Sequence, residues 1–240
     1  MTTVLVAHGT RNPRGVALIG DLAAAMSARL HEPVHAAFVD VLGPSPTEVL
    51  RRLDDEHAES GAAPVTVVPA FLARGYHVRV DLPAHVDAAG HPAAALTPAL
   101  GPSPDLAAVL ALRLRAAGAR EDDAIVLAAA GSSDPLAVAD VDRTAGHLGE
   151  ILGADVTVGF AAPPADGAAH PGVAEAVRAA RGRGRRVAVA SYLLAPGLFQ
   201  QRLAQTDAEV VAAPLGLHPR VVGLACDRVR AVRARVDIPA

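Results

Sequence analysis

The chain has 240 residues, enough to bury a sizeable core as one large domain or two small ones. A net charge of −3 gives no electrostatic case for nucleic acid or an anionic membrane surface as partner. All 22 basic residues are arginine, which excludes Schiff-base chemistry on lysine, and the lone Cys226 excludes an intrachain disulfide or a thiolate metal cluster. Apolar residues make up 51% of the chain but aromatics only 2%, so the core is built from alanine and β-branched side chains that suit helices packed closely on a sheet. The N-terminus shows no charged region or cleavage site, and no run of about 18 apolar residues occurs. The chain is expected to be soluble and cytoplasmic.

Thr3 to Ala7 predicts a short apolar strand. Asn12-Pro13 supplies an N-cap and a first-turn proline, and Ile19, Leu22, Met26 and Leu30 carry a helix to about Leu30. Val34 to Asp40 reads as a second strand with Val34, Ala36, Phe38 and Asp40 on one face. Ser45-Pro46-Thr47-Glu48 has the form of a capping box, and Leu50 and Leu53 continue that helix. Val65 to Leu72 is the third strand. A helix is predicted through Leu82 to Ala89, a short strand near Ala94 to Thr97, and a helix from Pro104 to Ala117.

The second half repeats this order. Ala124 to Ala129 is a strand, Asp134-Pro135 opens a helix as Asn12-Pro13 does, Val156 to Phe160 answers Val34 to Phe38, and Val187 to Leu194 answers Val65 to Leu72. One offset of 122 residues, from Val34 to Val156, relates all four. This is an internal duplication of a βα unit. The expected fold is α/β, with two tandem repeats at 1–119 and 120–240 joined near Gly118 to Asp123. Each should be a four-stranded parallel sheet flanked by helices, the two facing across a cleft.

Parallel α/β sheets place their chemistry just past the carboxyl ends of their strands. His8 and His77 are expected at two such ends, and Asp40 at a third. Neutral imidazole binds divalent first-row metals and accepts a proton near neutral pH, and a carboxylate beside it can complete a ligand set or take a proton. The repeat is an internal control, because His8 aligns with Ala130, His77 with Phe199, Asp40 with Ala162 and Asp81 with Leu203. Caps and strand valines survive duplication while the polar strand-end residues do not. That pattern fits a one-sided active site better than histidines the fold requires.

Arg11, Arg74 and Arg79 flank the two histidines and could hold carboxylates bidentately. Asp81, before Leu82-Pro83, reads as a helix cap. His31, His35, His57, His85, His91, His147 and His170 show no evident partner in the sequence, and His218 stands in a turn; none is given a role. The basic run Arg178 to Arg186 reads as a solvated helix end and turn.

On Val4-Leu5-Val6-Ala7-His8-Gly9-Thr10-Arg11, on Ala37-Phe38-Val39-Asp40 with Pro44-Ser45, and on Val67-Val68-Pro69 through Gly75-Tyr76-His77-Val78-Arg79 to Asp81-Leu82-Pro83, the chain resembles the sirohydrochlorin chelatases. These are class II tetrapyrrole chelatases, and the second half is similar to the duplicated long form with a degenerate repeat. The resemblance implies insertion of Fe²⁺ or Co²⁺ as substrate metal into sirohydrochlorin, without nucleotide or a tightly bound cofactor. By family analogy His8 and His77 bind the metal and help remove pyrrole protons. Arg11, Arg74, Tyr76 and Arg79 would meet the macrocycle. The family often has glutamate at the place of Asp40, which is shorter. The fused repeat makes a monomer the expected state.

Two rival readings come from other classes. A carrier of metal or tetrapyrrole would use the same histidines without turnover. A histidine phosphatase would need arginine immediately before the histidine, where this chain has Ala7.

Overall fold

The structure, a computed structural model, describes residues 1–56, 63–165 and 168–236. His57 lies outside the described residues. Four parallel strands, β1 (Thr2–Ala7), β2 (Val34–Phe38), β3 (Val65–Pro69) and β4 (Ala94–Leu96), form one sheet in the order β2-β1-β3-β4. A second sheet of β5 (Ala124–Ala129), β6 (Val156–Phe160), β7 (Val187–Tyr192) and β8 (Val210–Val211) is ordered β6-β5-β7-β8. Even the register repeats. Val4 pairs with His35 and Val67, and Val126 with Thr157 and Val189, each residue 122 positions after its counterpart. The duplication inferred from sequence is a duplication of structure.

Two strands end earlier than expected. β2 stops at Phe38, whose N–H donates to Pro44 O at 2.9 Å, so the chain doubles back and Asp40 sits in a bend rather than on the strand. β3 stops at Pro69, which has no N–H to extend a ladder, and Phe71 and Leu72 fall in the connection.

The helix starts follow the chemistry of their caps. Asn12 accepts the N–H of Arg14 at 2.9 Å to begin α1 (Pro13–Leu30), and Asp134 accepts that of Leu136 at 2.9 Å to begin α5 (Pro135–Leu152). At the start of α2 (Pro46–Glu56) the capping box closes both ways: Ser45 N donates to Glu48 Oε2 at 2.7 Å, and Glu48 N to Ser45 Oγ at 3.3 Å. The remaining helices are α3 (Leu82–Ala89), α4 (Pro104–Ala116), α6 (Val173–Arg181), α7 (Leu198–Ala204) and α8 (Pro219–Val236). Val4, Val6 and Val67 of the first sheet bury themselves against Val49, Leu50 and Leu53 of α2 and Leu82 of α3. Each such side chain contributes about 1.5–3 kcal/mol when fully buried, so truncating one, as in Leu50→Ala, would cost about 2–5 kcal/mol.

Two compact units emerge, and they do not coincide with the repeats at 1–119 and 120–240. Residues 1–100 and 222–240 make one unit, and 101–221 the other. α4, the last helix of the first repeat, packs on α5 and β7 in the second unit, where Arg113 Nη2 donates to Leu215 O at 3.0 Å. Most of α8, the last helix of the second repeat, belongs to the first unit. There Arg233 forks onto Glu32, with Nη1 to Oε2 at 2.7 Å and Nη2 to Oε1 at 2.6 Å, and also donates to Thr3 and Thr66 at 3.1 Å each. Sequence period fixes the order of elements; packing decides which sheet each terminal helix covers.

One glycine pair is required by a close approach of backbone. Gly9 (φ +98°) and Gly131 (φ +116°) follow β1 and β5, and a Cβ on either would overlap the carbonyl oxygen of Asp40 or Ala162. Both positions are glycine for the fold, so Gly9 in the motif AHGTR is a structural residue.

Candidate functional site

The order β2-β1-β3-β4 has a switch point between β1 and β3, where the connections leave in opposite directions and sheets of this kind bind their ligands past the strand ends. His8 follows β1 directly. His77 follows β3 after a short connection, not as the strand's last residue, and the rings of His8 and His77 lie 4.7 Å apart between centroids, tilted by 46°. Residues separated along the chain are thus brought into ring contact at the place where such sheets bind ligands.

His77 is held from several sides. The Phe71 ring stacks on it at 6.0 Å and Tyr76 meets it edge-on at 6.0 Å. His77 opens a π-helical turn, His77–Asp81, in which the N–H of Leu82 reaches back five residues to His77 O. Pro83 explains the widening, since its ring in a regular helix would clash with the Arg79 carbonyl four residues earlier. On this turn His77 Nδ1 lies 2.5 Å from Asp81 Oδ2.

Asp81 therefore does not cap α3. Its backbone is already helical, at φ −62° and ψ −50°, and its side chain makes no capping hydrogen bond. An N-cap needs an extended backbone to turn its oxygen onto the first helical N–H groups. The pairing with His77 was missed in the sequence, although the four-residue spacing in His77-Val78-Arg79-Val80-Asp81 is the signal that carries it.

Asp40 is exposed. Its N–H donates to His8 O at 3.0 Å, and its Oδ1 accepts the N–H of Val41 at 2.7 Å. The second unit keeps the backbone link, Ala162 N to Ala130 O at 2.9 Å, without the carboxylate. Partial burial lowers the pKa of His8 below the ordinary imidazole value, and His77 beside it lowers it further, against the opposing pull of Asp40 and Asp81. The effect is to favour the neutral ring, with a lone pair for a cation or a proton.

Tyr76, in edge contact with His77, is 59% exposed, and Val80, Val41 and Leu42 also face solvent. Arg11 and Arg79 are exposed and Arg74 is half-buried. Among the described residues, no group of three or more His, Cys, Asp or Glu side chains is arranged to hold a metal ion. No described helix is long and apolar enough to cross a membrane.

Several of the other histidines do have partners. His85 Nδ1 lies 2.8 Å from Thr47 Oγ1 and ties α3 to α2, His91 Nδ1 accepts the N–H of Ala93, and His218 Nδ1 that of Arg220. His170 Nε2 lies 2.7 Å from Asp142 Oδ1 in the second unit. In the basic run, Arg181 pairs with Glu209 at 3.1 Å and Arg186 with the buried Asp123 at 2.8 Å, which leaves no uniform basic face there.

A parallel α/β unit used twice, with His8 and His77 past the strand ends of the first copy and Ala130 and Phe199 at the matching places of the second, defines a two-repeat α/β protein. The model of the CbiX family matches residues 2–117 and again 124–232. The chain belongs to the CbiX family, as its resemblance to the sirohydrochlorin chelatases anticipates. It is similar to the sirohydrochlorin cobaltochelatase of Methanothermobacter thermautotrophicus, 34% identical over 80 residues, covering 33% of this chain and 53% of that one. It spans about half the length of the curated relatives it matches. Among solved structures it is similar to SirB from Bacillus subtilis with Fe³⁺, with a TM-score of 0.78 and 22% identity over 98% of this chain and 96% of that one. It is also similar to CbiX, the terminal enzyme for siroheme biosynthesis in denitrifying bacteria, with a TM-score of 0.68 and 25% identity over 96% and 99% of the two chains.

Proposed function

We propose that this protein inserts a divalent metal ion, Fe²⁺ or Co²⁺, into sirohydrochlorin, without nucleotide and without a tightly bound cofactor. The observation that carries the reading is the His8–His77 pair, 4.7 Å apart at the switch point of a parallel sheet and absent from the second repeat. Family membership and the names of the curated relatives support the substrate class. The curated relative is a cobaltochelatase and the SirB structure carries Fe³⁺, so both metals stay within the proposal.

Metallation breaks two pyrrole N–H bonds, forms metal–nitrogen bonds and releases two protons, with no change in oxidation state. A base and a weak, open metal site therefore belong side by side. Two neutral imidazoles without a closed ligand set meet both needs: they take the cation from water, hold it loosely enough to release it, and can accept the protons displaced. In this reading His8 and His77 carry the metal and Asp40 acts through its field on His8, its Oδ1 being engaged by Val41 N–H. In the same reading the exposed Tyr76, Val80, Val41 and Leu42 would offer apolar surface to a flat macrocycle, and Arg11, Arg74 and Arg79 would hold its peripheral carboxylates.

The test is a visible-absorbance time course of sirohydrochlorin with the purified protein and Fe²⁺ or Co²⁺ under anaerobic conditions. Conversion faster than in protein-free buffer is expected with at least one metal. No acceleration with either, together with a stoichiometric shift on mixing, would replace the chelatase by a carrier.

A further inference from the structure

We infer that Asp81 is a positioning residue for His77, holding its ring in the Nδ1–H tautomer so that Nε2 keeps its lone pair for the metal ion or the departing proton. The inference rests on the chelatase reading of the site and adds a residue to it.

A carboxylate has no proton to give, so the short contact between His77 Nδ1 and Asp81 Oδ2 makes Nδ1 the donor. Free imidazole in water prefers the opposite tautomer only slightly, and one charge-assisted hydrogen bond is enough to reverse that preference. The same bond, with the Phe71 ring stacked on His77, fixes the ring plane. Histidine ligands are commonly oriented by such an acceptor on the far nitrogen, and its loss weakens metal binding by about 10–100-fold.

The second repeat is the control. Gly75 and Gly197 occupy equivalent positions, and at the start of the turn that follows Gly75 O accepts the N–H groups of Val78 and Arg79 and Gly197 O that of Gln201. In the second unit that turn is the regular helix α7, with Phe199 and the buried Leu203 where the first has His77 and Asp81. The imidazole, the carboxylate and the π turn occur together or not at all. Pro83 accounts for the widened turn but not for a carboxylate on the histidine, because Val78 to Leu82 would form the same turn with any polar residue at 81.

The test uses the full chain and two readouts besides turnover. Long-range ¹H–¹⁵N spectra report the tautomer of each histidine ring, His77 being assigned by its loss in His77→Gln, and Co²⁺ titration followed by visible absorbance reports metal affinity. The wild type should show His77 as Nδ1–H. Asp81→Ala should turn it largely to Nε2–H and weaken Co²⁺ binding about tenfold or more. Asp81→Asn, which keeps an acceptor oxygen but no charge, should fall between the two in both readouts, and it carries the test if Asp81→Ala does not fold. An unchanged His77 tautomer and unchanged Co²⁺ affinity in the folded variants would overturn the inference. Both readouts stand without sirohydrochlorin, so a wild type that fails to turn over would remove the chelatase reading while the role of Asp81 is decided separately.

Discussion

Arg233 presents both terminal guanidinium nitrogens to both carboxylate oxygens of Glu32, at 2.7 and 2.6 Å, across 201 residues of sequence. The Glu32 side chain is 10% exposed and that of Arg233 is 21% exposed, and Thr66 accepts from Nε of the fork and Thr3 from Nη2. This cluster fastens α8 to the first sheet.

Burial acts to raise the pKa of Glu32, but hydrogen bonds from Arg233 and Thr3 outweigh it and hold the carboxyl below its ordinary value of 4.5. A depressed folded-state pKa means the unfolded chain binds more protons, so this stability is fully present above about 4.5 and is lost as pH falls through the folded value. Glu32→Gln should cost about 2–3 kcal/mol at pH 7, since it leaves Arg233 without its charge partner in a largely buried place. Urea unfolding of both proteins at pH 7 and at pH 3 checks this: the difference should be large at the first and shrink at the second.

His8→Ala and His77→Ala should each abolish metal insertion while leaving the far-ultraviolet spectrum and the unfolding midpoint close to wild type. Both rings lie outside the sheet core, so neither substitution opens a cavity among the strand valines. Wild-type turnover in both variants would remove the site assignment.

Gly9→Ala and Gly131→Ala should both destabilise the protein, each by about 2 kcal/mol or more, because a methyl group would overlap a carbonyl oxygen at a backbone angle alanine disfavours. Only Gly9→Ala should also impair turnover beyond its effect on stability, since only Asp40 has an ionisable side chain on the displaced loop. Thermal melts and steady-state rates at a temperature where both variants are folded separate the two effects.

Tyr192 stands in β7 at the place of Ala70 in the first repeat, 2% exposed, and its hydroxyl accepts from Thr144 Oγ1 at 3.1 Å. Burial raises its pKa, so it stays a neutral phenol through the ordinary range. Tyr192→Phe should cost about 1 kcal/mol in chemical denaturation and leave metal insertion unchanged, because it lies in the unit that does not hold His8 and His77.

Most of the fold was legible because the same punctuation occurs twice. Asn12-Pro13 and Asp134-Pro135 marked helix starts, and the valines of β1, β3, β5 and β7 marked strands at one offset. The histidine pair was legible for the same reason: with ten histidines in the chain, composition could not single out two, but their loss at Ala130 and Phe199 did. Asp81 was misread because an aspartate before Leu82-Pro83 has every sequence mark of a cap. Only the helical backbone of the π turn, which starts before the proline, withdraws it from that role and turns it onto His77. The placement of α4 and α8 was not legible either. A repeat period carries no information on which sheet a terminal helix covers, and the contact that decides it for α8, Arg233 on Glu32, joins residues with no local relation.

The division into a continuous unit, 101–221, and a discontinuous one, 1–100 with 222–240, bears on how the molecule is made. During synthesis the continuous unit can close as soon as its own residues have left the ribosome, whereas the sheet that carries His8 and His77 must wait for a helix translated after the whole of its neighbour. A gene cut at the boundary of the repeats would deliver neither unit intact. The half that holds the histidines would emerge with Thr3, Glu32 and Thr66 facing an empty place in which Arg233 should lie.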